Sequence, residues 1–224
     1  MLAAAIKSFS QVFQPEYRAI LWKSLGLTIG LLAVLWIVIQ GLFAGFVTLP
    51  YPWLETVLGI LTGLGAFIGL GFLIAPASAI FVAFYQDDIA ELVERHDYPL
   101  DPAGKAMPLL QGLSIAAKFL GVVLLGNLLA LVLLLVPGIN IFAFFAVNGY
   151  LLGREFFEFA AMRFMSPEDA RALRRANGGL VFVGGLLIAL VLSVPIVNLV
   201  TPIFATIFMV HMFKRLQGRS AVVA

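Results

Sequence analysis

Four long stretches of this sequence contain no Asp, Glu, Lys or Arg: between Lys23 and Glu55, between Glu55 and Asp87, between Lys118 and Arg154, and between Arg175 and Lys214. Each exceeds the roughly 20 apolar residues that a helix needs to cross about 30 Å of hydrocarbon. Composition agrees, because 62% of the 224 residues are hydrophobic and 12% are charged, about half the charged fraction of a soluble domain. The chain therefore reads as an all-helical integral membrane protein and not as a soluble enzyme. Glu16, Arg18 and Lys23 interrupt the N-terminus, and no small-residue cleavage site follows a short apolar core. The first apolar block is accordingly expected to stay in place as a span and not to act as a signal peptide.

Charge placement orients the blocks. All 14 Lys and Arg fall on one side if the chain crosses or re-enters the membrane at each block, a positive-inside pattern. Met1 to Lys23, Asp87 to Lys118, Arg154 to Arg175 and Lys214 to Ala224 then lie inside, whereas the turns near Pro50, Pro137 and Pro195 carry no Lys or Arg. Both termini are expected to be cytoplasmic in a bacterial inner membrane.

A single membrane domain over 1–224 follows, divided by its charge pattern. Residues 1–19 are expected to form an interfacial helix, because Leu2, Ile6, Phe9 and Phe13 share one helical face with Lys7, Ser8, Gln11 and Gln14 elsewhere. Residues 20–86 hold two long transmembrane helices, from about Ile20 to Phe46 and from about Leu54 to Tyr85, joined at Pro50-Tyr51-Pro52-Trp53. Gly59/Gly63 and Gly65/Gly69 in the second have the four-residue spacing that permits close helix approach. A cytoplasmic segment, 87–107, begins as a helix whose Asp87, Glu91 and Glu94 share a face expected to be solvated; Pro99 and Pro102 end it. Residues 164–177 form a cytoplasmic helix started by Ser166-Pro167-Glu168-Asp169, with hydroxyl, proline and acids in the order an N-terminus prefers. Its Arg171, Arg174 and Arg175 read as contacts to anionic head groups. Residues 217–224 are a tail.

The remaining segments, 108–163 and 178–216, are alike. Val136-Pro137-Gly138-Ile139-Asn140 is central to one and Val194-Pro195-Ile196-Val197-Asn198 to the other, so each reads as a helical hairpin turning at Pro-x-x-Asn, a duplicated unit. Their charge-free lengths, about 35 and 38 residues, fall just short of the roughly 40 wanted for two spans and a turn. Length alone leaves two arrangements open: short full crossings, or re-entrant hairpins covered by other protein or water.

Chemistry is sparse. The chain has no Cys and only two His, no Gly-Lys-Ser/Thr phosphate loop, no paired-His metalloprotease motif and no Gly-x-Ser-x-Gly elbow. It calls for no enzyme activity, no cofactor and no metal, and it lacks the basic face interleaved with aromatics that nucleic acid requires. His211 reads as a satisfied interfacial side chain. Arg154, Glu155, Glu158 and Arg163 follow the apolar arm of the first hairpin, and Arg154 and Glu158 can pair at i, i+4. Arg154 with Glu155 and Glu158 forms a candidate charged gate. Asn140 and Asn198, behind Pro137 and Pro195, are candidate caps whose helix starts would face an anion if the tips lie within the membrane.

Four stretches carry a family resemblance: Val147-Asn148-Gly149-Tyr150-Leu151-Leu152-Gly153-Arg154-Glu155-Phe156-Phe157-Glu158, the two Pro-x-x-Asn turns, Val93-Glu94-Arg95-His96-Asp97-Tyr98-Pro99, and Val210-His211-Met212-Phe213-Lys214-Arg215-Leu216. Together they resemble the CysZ-type sulfate permease family over nearly the whole chain. The resemblance implies sulfate uptake feeding cysteine synthesis, two long spans with two pairs of partly penetrating helices, and a homo-oligomer. It tilts the hairpins towards re-entrant. It also implies protomers packed in opposite orientations, whereas the one-sided charge pattern argues for a single orientation. Family members have an aromatic Asp-Tyr-Pro-type stretch where this chain has Glu158-Phe159-Ala160-Ala161-Met162-Arg163, so carry-over stops at the Pro and Asn of each turn. The reading that follows is a transporter or channel for a small inorganic anion, sulfate by resemblance, in contact with membrane lipids. Its rival is a non-transporting membrane scaffold or assembly factor.

Overall fold

A computed structural model describes residues 1–46, 50–106 and 139–223 of the chain. All regular structure among them is helical: α1 (Leu2–Gln11), α2 (Pro15–Phe46), α3 (Pro52–Phe72), α4 (Ile74–Phe84), α5 (Gln86–Asp97), α6 (Ile139–Met162), α7 (Pro167–Ala176), α8 (Gly178–Leu192), a 3-10 turn (Val197–Val200) and α9 (Thr201–Val223). Among these residues, three segments are long and apolar enough to cross a membrane: Pro15–Phe46, Pro52–Gly71 and Val197–Gly218. A fourth is counted if α7 and α8, bent by 91° to each other, make one span. The protein is an all-helical membrane protein. Contacts divide it into two units, Arg18–Tyr85 and Met1–Tyr17 with Gln86–Ala224.

The unit Arg18–Tyr85 carries only three charged residues, Arg18, Lys23 and Glu55. Helix α2 starts at Pro15, ahead of the expected Ile20, because proline with Glu16 behind it makes a favourable first turn. The expected second span is two helices, α3 and α4, broken at Leu73. Pro76 explains the break, because a proline has no N–H to continue the helical hydrogen-bond ladder four residues back. The two glycine pairs differ. A Cβ on Gly59 would lie 3.3 Å from the Phe43 ring and one on Gly63 2.6 Å from Gln40 Nε2, whereas Gly65 and Gly69 face open space. Trp36 Nε1 donates to the Gly63 carbonyl at 3.0 Å. Outside these contacts the unit exposes Ile29, Ile37, Ile60, Phe67 and Phe84, a surface that hydrocarbon suits and water does not.

In the other unit, α9 is the axis. Ile203, Phe204, Ile207, Phe208, Met209 and Phe213 are all buried, as expected for a helix apolar on every side. It packs on α6, α5, α1 and α8. The tightest contact is between α6 and α8, where a Cβ on Gly185 would lie 1.8 Å from the Gly149 carbonyl oxygen and one on Gly153 would lie 2.6 Å from the Val181 carbonyl oxygen. The opposite side of α8 meets α9, since a Cβ on Gly184 would lie 2.8 Å from Met212 Cε. Helix α8 is thereby wedged between two neighbours by adjacent glycines.

Helix α1 is amphipathic in the inverted sense for a soluble protein. Its polar Ser8 and Gln11 are buried, while Leu2, Ile6 and Phe13 are exposed. Phe9 keeps its contact with Phe13 of the expected apolar row, edge-on at 5.6 Å, and also packs edge-on against Phe204 at 6.0 Å. The tip of the second hairpin is strained. Ile196 has φ 69° and ψ −51°, and the Val197 N–H bonds to the Pro195 carbonyl at 2.8 Å, which together make a γ-turn of the rare hand. A β-branched residue is unfavourable there. Ile196→Gly is expected to stabilise the protein by roughly 0.5–1 kcal/mol after glycine's own entropy cost, measured as a melting temperature higher by about 1–4 °C. A lower melting temperature would mean that the exposed Ile196 side chain, and not backbone relief, governs the turn.

Candidate functional site

Three polar clusters interrupt the apolar unit around α9, and each forms where helices leave their apolar stretches. The first follows α6. Glu158 Oε1 lies 3.5 Å from Arg154 Nε, one helical turn back, and 2.6 Å from Arg174 Nε of α7. One carboxylate stands between two guanidiniums, and the carboxylate and Arg174 are largely buried. The short N-terminal turn of α7 sets Arg174 in place: Ser166 Oγ accepts from the Asp169 N–H at 3.1 Å, with Pro167 next to it. Of the expected gate residues, the structure brings Arg154 and Glu158 together and recruits Arg174. Glu155 is exposed and takes no part in these ion pairs.

The second cluster corrects the expectation of a solvated acidic face on α5. Glu94 is buried. Its carboxylate receives Arg163 Nε at 2.7 Å and Nη2 at 3.2 Å, a two-pronged arrangement. Asp87 also binds Arg163, through Nη1, and the Gly104 N–H donates to Glu94 Oε2 at 3.0 Å. The Lys105 N–H closes the loop on the Arg163 carbonyl at 2.8 Å. Burial alone would lower the guanidinium's affinity for its proton, but the hydrogen bonds and charges of Glu94 and Asp87 outweigh it, so Arg163 stays charged. Glu91, the third acid of that face, pairs locally with Arg95.

The third cluster joins α1, α5 and α9. Tyr98 Oη and His211 Nδ1 are 2.8 Å apart, His211 Nε2 and Gln11 Oε1 are 2.8 Å apart, and Gln11 Nε2 donates to Asp97 Oδ2 at 2.6 Å. Lys7 completes the row on Asp97 Oδ1. Gln11 uses its amide on Asp97, so its carbonyl oxygen must accept, and the network assigns the His211 proton to Nε2. Tyr98 then donates to Nδ1, which suits a hydroxyl that burial pushes up to about 12. Burial works to raise the Asp97 carboxyl, yet the hydrogen bonds from Lys7 and Gln11 hold it below its ordinary range. Beside this row, Lys214 pairs with Asp101 at 3.0 Å and lies 4.0 Å from the centre of the Phe164 ring. His211 is satisfied on both nitrogens, as the sequence suggested.

The hairpin tips are only partly described. Pro137 lies outside the described residues, and of Asn140 the structure gives the backbone, the second residue of α6. At the other tip Pro195 is exposed. The start of the 3-10 turn is held by Ile196, and Asn198 is the second residue inside it, with its N–H bonded to the Val194 carbonyl at 2.9 Å. Asn198 is therefore a turn residue and not the cap of that turn. Among the described residues no three His, Asp or Glu side chains gather as a metal site would need.

Residues 4–202 match the family described as sulfate transporter CysZ/etoposide-induced protein 2.4. The chain belongs to this family. The match runs from α1 through the second hairpin tip, and it makes the protein a member of a transporter-type family and not of an enzyme family. Among individually curated proteins none matches the chain. Within the CysZ/etoposide-induced 2.4 framework, sequence reasoning found the Arg154–Glu158 pair by its i, i+4 spacing. It missed Arg174 as their partner and Glu94 as the partner of Arg163, 69 residues away, because neither pairing has a local signature.

Proposed function

We propose that this chain passes a small inorganic anion, sulfate in keeping with the family name, across a bacterial inner membrane, either passively or together with protons. Membership of the sulfate transporter CysZ/etoposide-induced protein 2.4 family over residues 4–202 is the observation that carries this reading. The anion passes the hairpin tips, where Pro137 with Asn140 and Pro195 with Asn198 begin the inward-running arms. It then meets the charged cluster at the inner end of α6. In the ion-paired core of that cluster two guanidiniums face one carboxylate, a local positive excess that favours an anion in surroundings of low polarity. Arg154 and Glu158 act there as a gate with Arg174, and Glu155 lines its exposed edge.

Two features of α8 support a second hairpin whose first arm stops within the membrane. Helix α8 has 15 residues, about 22 Å at 1.5 Å per residue, against about 30 Å of hydrocarbon. Arg174 and Arg175 stand four and three residues before its first residue, Gly178, so little apolar sequence is available to extend it. A re-entrant tip needs protein or water around it, which a homo-oligomer provides. One-sided Lys and Arg placement supports a topology with both termini in the cytoplasm.

The gate is tested by initial rates of labelled sulfate uptake into proteoliposomes. Arg154→Ala is expected to lower the rate roughly ten-fold or more, the worth of one charged hydrogen bond, while the purified protein keeps its size-exclusion profile. Wild-type rates in both Arg154→Ala and Asn198→Ala would remove the gate and the tip from the pathway.

A further inference from the structure

Helix α7 carries two cations that the transport reading leaves unused. Of its three arginines, Arg174 is committed to Glu158. Arg171 and Arg175 are exposed and four residues apart, so they lie on one helical face and repel each other. Among the described residues, Arg171 bonds only through its Nε–H, to the Pro167 carbonyl at 2.8 Å. The acids of the helix are elsewhere engaged or out of reach. Asp169 accepts from Ser166, and among the described residues neither Glu168 nor Asp169 comes within 4.0 Å of Arg171 or Arg175.

The bend supplies the partner. Helix α8 is free of charge and exposes Leu180, Phe182, Val183 and Leu190, an outer face fitted to acyl chains. Helix α7 meets it at 91°. If α8 enters the bilayer along its normal, α7 must run in the membrane plane. The corner at Asn177 then lies at head-group depth, where Leu180 begins the acyl-facing surface three residues later. A phosphate at that level can bridge Arg171 and Arg175 while the chains of the same molecule run down Leu180 and Val183.

We propose that Arg171 and Arg175 form a binding site for an anionic phospholipid head group, with the first turns of α8 as the seat for its acyl chains. The site holds the second hairpin at a fixed depth, and it stands whether or not the protein transports sulfate. Each arginine near an anionic surface contributes about five-fold in affinity, so the pair contributes roughly 30-fold.

The test is native mass spectrometry of the detergent-solubilised full chain titrated with phosphatidylglycerol or phosphatidylcholine. The wild type is expected to prefer phosphatidylglycerol, and the Arg171→Gln/Arg175→Gln double variant to bind it roughly 30-fold more weakly with phosphatidylcholine binding unchanged. The Arg171→Lys/Arg175→Lys variant keeps most of the preference, which separates charge from a folding defect. Equal affinity for phosphatidylglycerol in the wild type and the Gln variant overturns the proposal. So does inorganic phosphate that competes the lipid off at matched concentration, because the site would then serve a soluble anion.

Discussion

Replacing Gly185 by alanine is expected to be the most damaging Gly→Ala change among the described residues. The added carbon would lie 1.8 Å from the Gly149 carbonyl oxygen and 2.7 Å from the Gly153 nitrogen. Both obstacles are backbone, so no side chain can swing aside and the helices α6 and α8 must separate. Overpacking of this kind costs about 3 kcal/mol or more, because in lipid the close fit of small residues is itself the attraction between helices. The detergent-solubilised variant should melt roughly 6–12 °C lower than the wild type. Gly178→Ala is the control. It lies at the first position of α8 with nothing within 4 Å of the new carbon, and it should be neutral or stabilising by up to about 1 kcal/mol. Equal melting temperatures for Gly185→Ala and the wild type would mean that α6 and α8 do not touch at these glycines.

Arg163→Ala should cost about 3–5 kcal/mol, the usual penalty for stranding a buried charge. Among the described residues Glu94 would keep only the Gly104 N–H, whereas Asp87, at 40% side-chain exposure, could turn to water. The penalty belongs to breaking the pair and not to the pair's own net worth. Replacing both partners together, as in Glu94→Leu with Arg163→Met, should therefore recover most of the loss. Arg163→Lys should fall between, since an ammonium keeps the charge but cannot make the two-pronged contact. Thermal denaturation of the three variants separates these outcomes. A wild-type melting temperature for Arg163→Ala would show that this cluster does not hold α5 to the end of α6.

How far the sequence foretold these features follows from the range of each interaction. The charge-free tracts pointed to α2, α3 and the arms of the second hairpin because the cost of charge in hydrocarbon acts on every residue of a span. The Ser166 start of α7 was legible because an N-cap is set within four residues. Gly149-x-x-x-Gly153 carried the same spacing as Gly59 and Gly63, and it marks the closer contact. Spacing tells which residues share a face but not which neighbour that face meets. Glu94 looked solvated for the same reason, since its partner is 69 residues away. The Gln11–His211 bond spans 200 residues, and only the packed structure could reveal it. Leu73, where the second span divides, was within reach through Pro76.

Labelled sulfate influx into sealed proteoliposomes containing the wild-type protein, driven by an inward sulfate gradient, tests the central claim most directly. The account predicts uptake well above protein-free vesicles that collapses when unlabelled sulfate is added outside. Uptake equal to protein-free vesicles, from protein shown to be folded and inserted, would contradict it and leave a membrane protein of this family that does not carry sulfate.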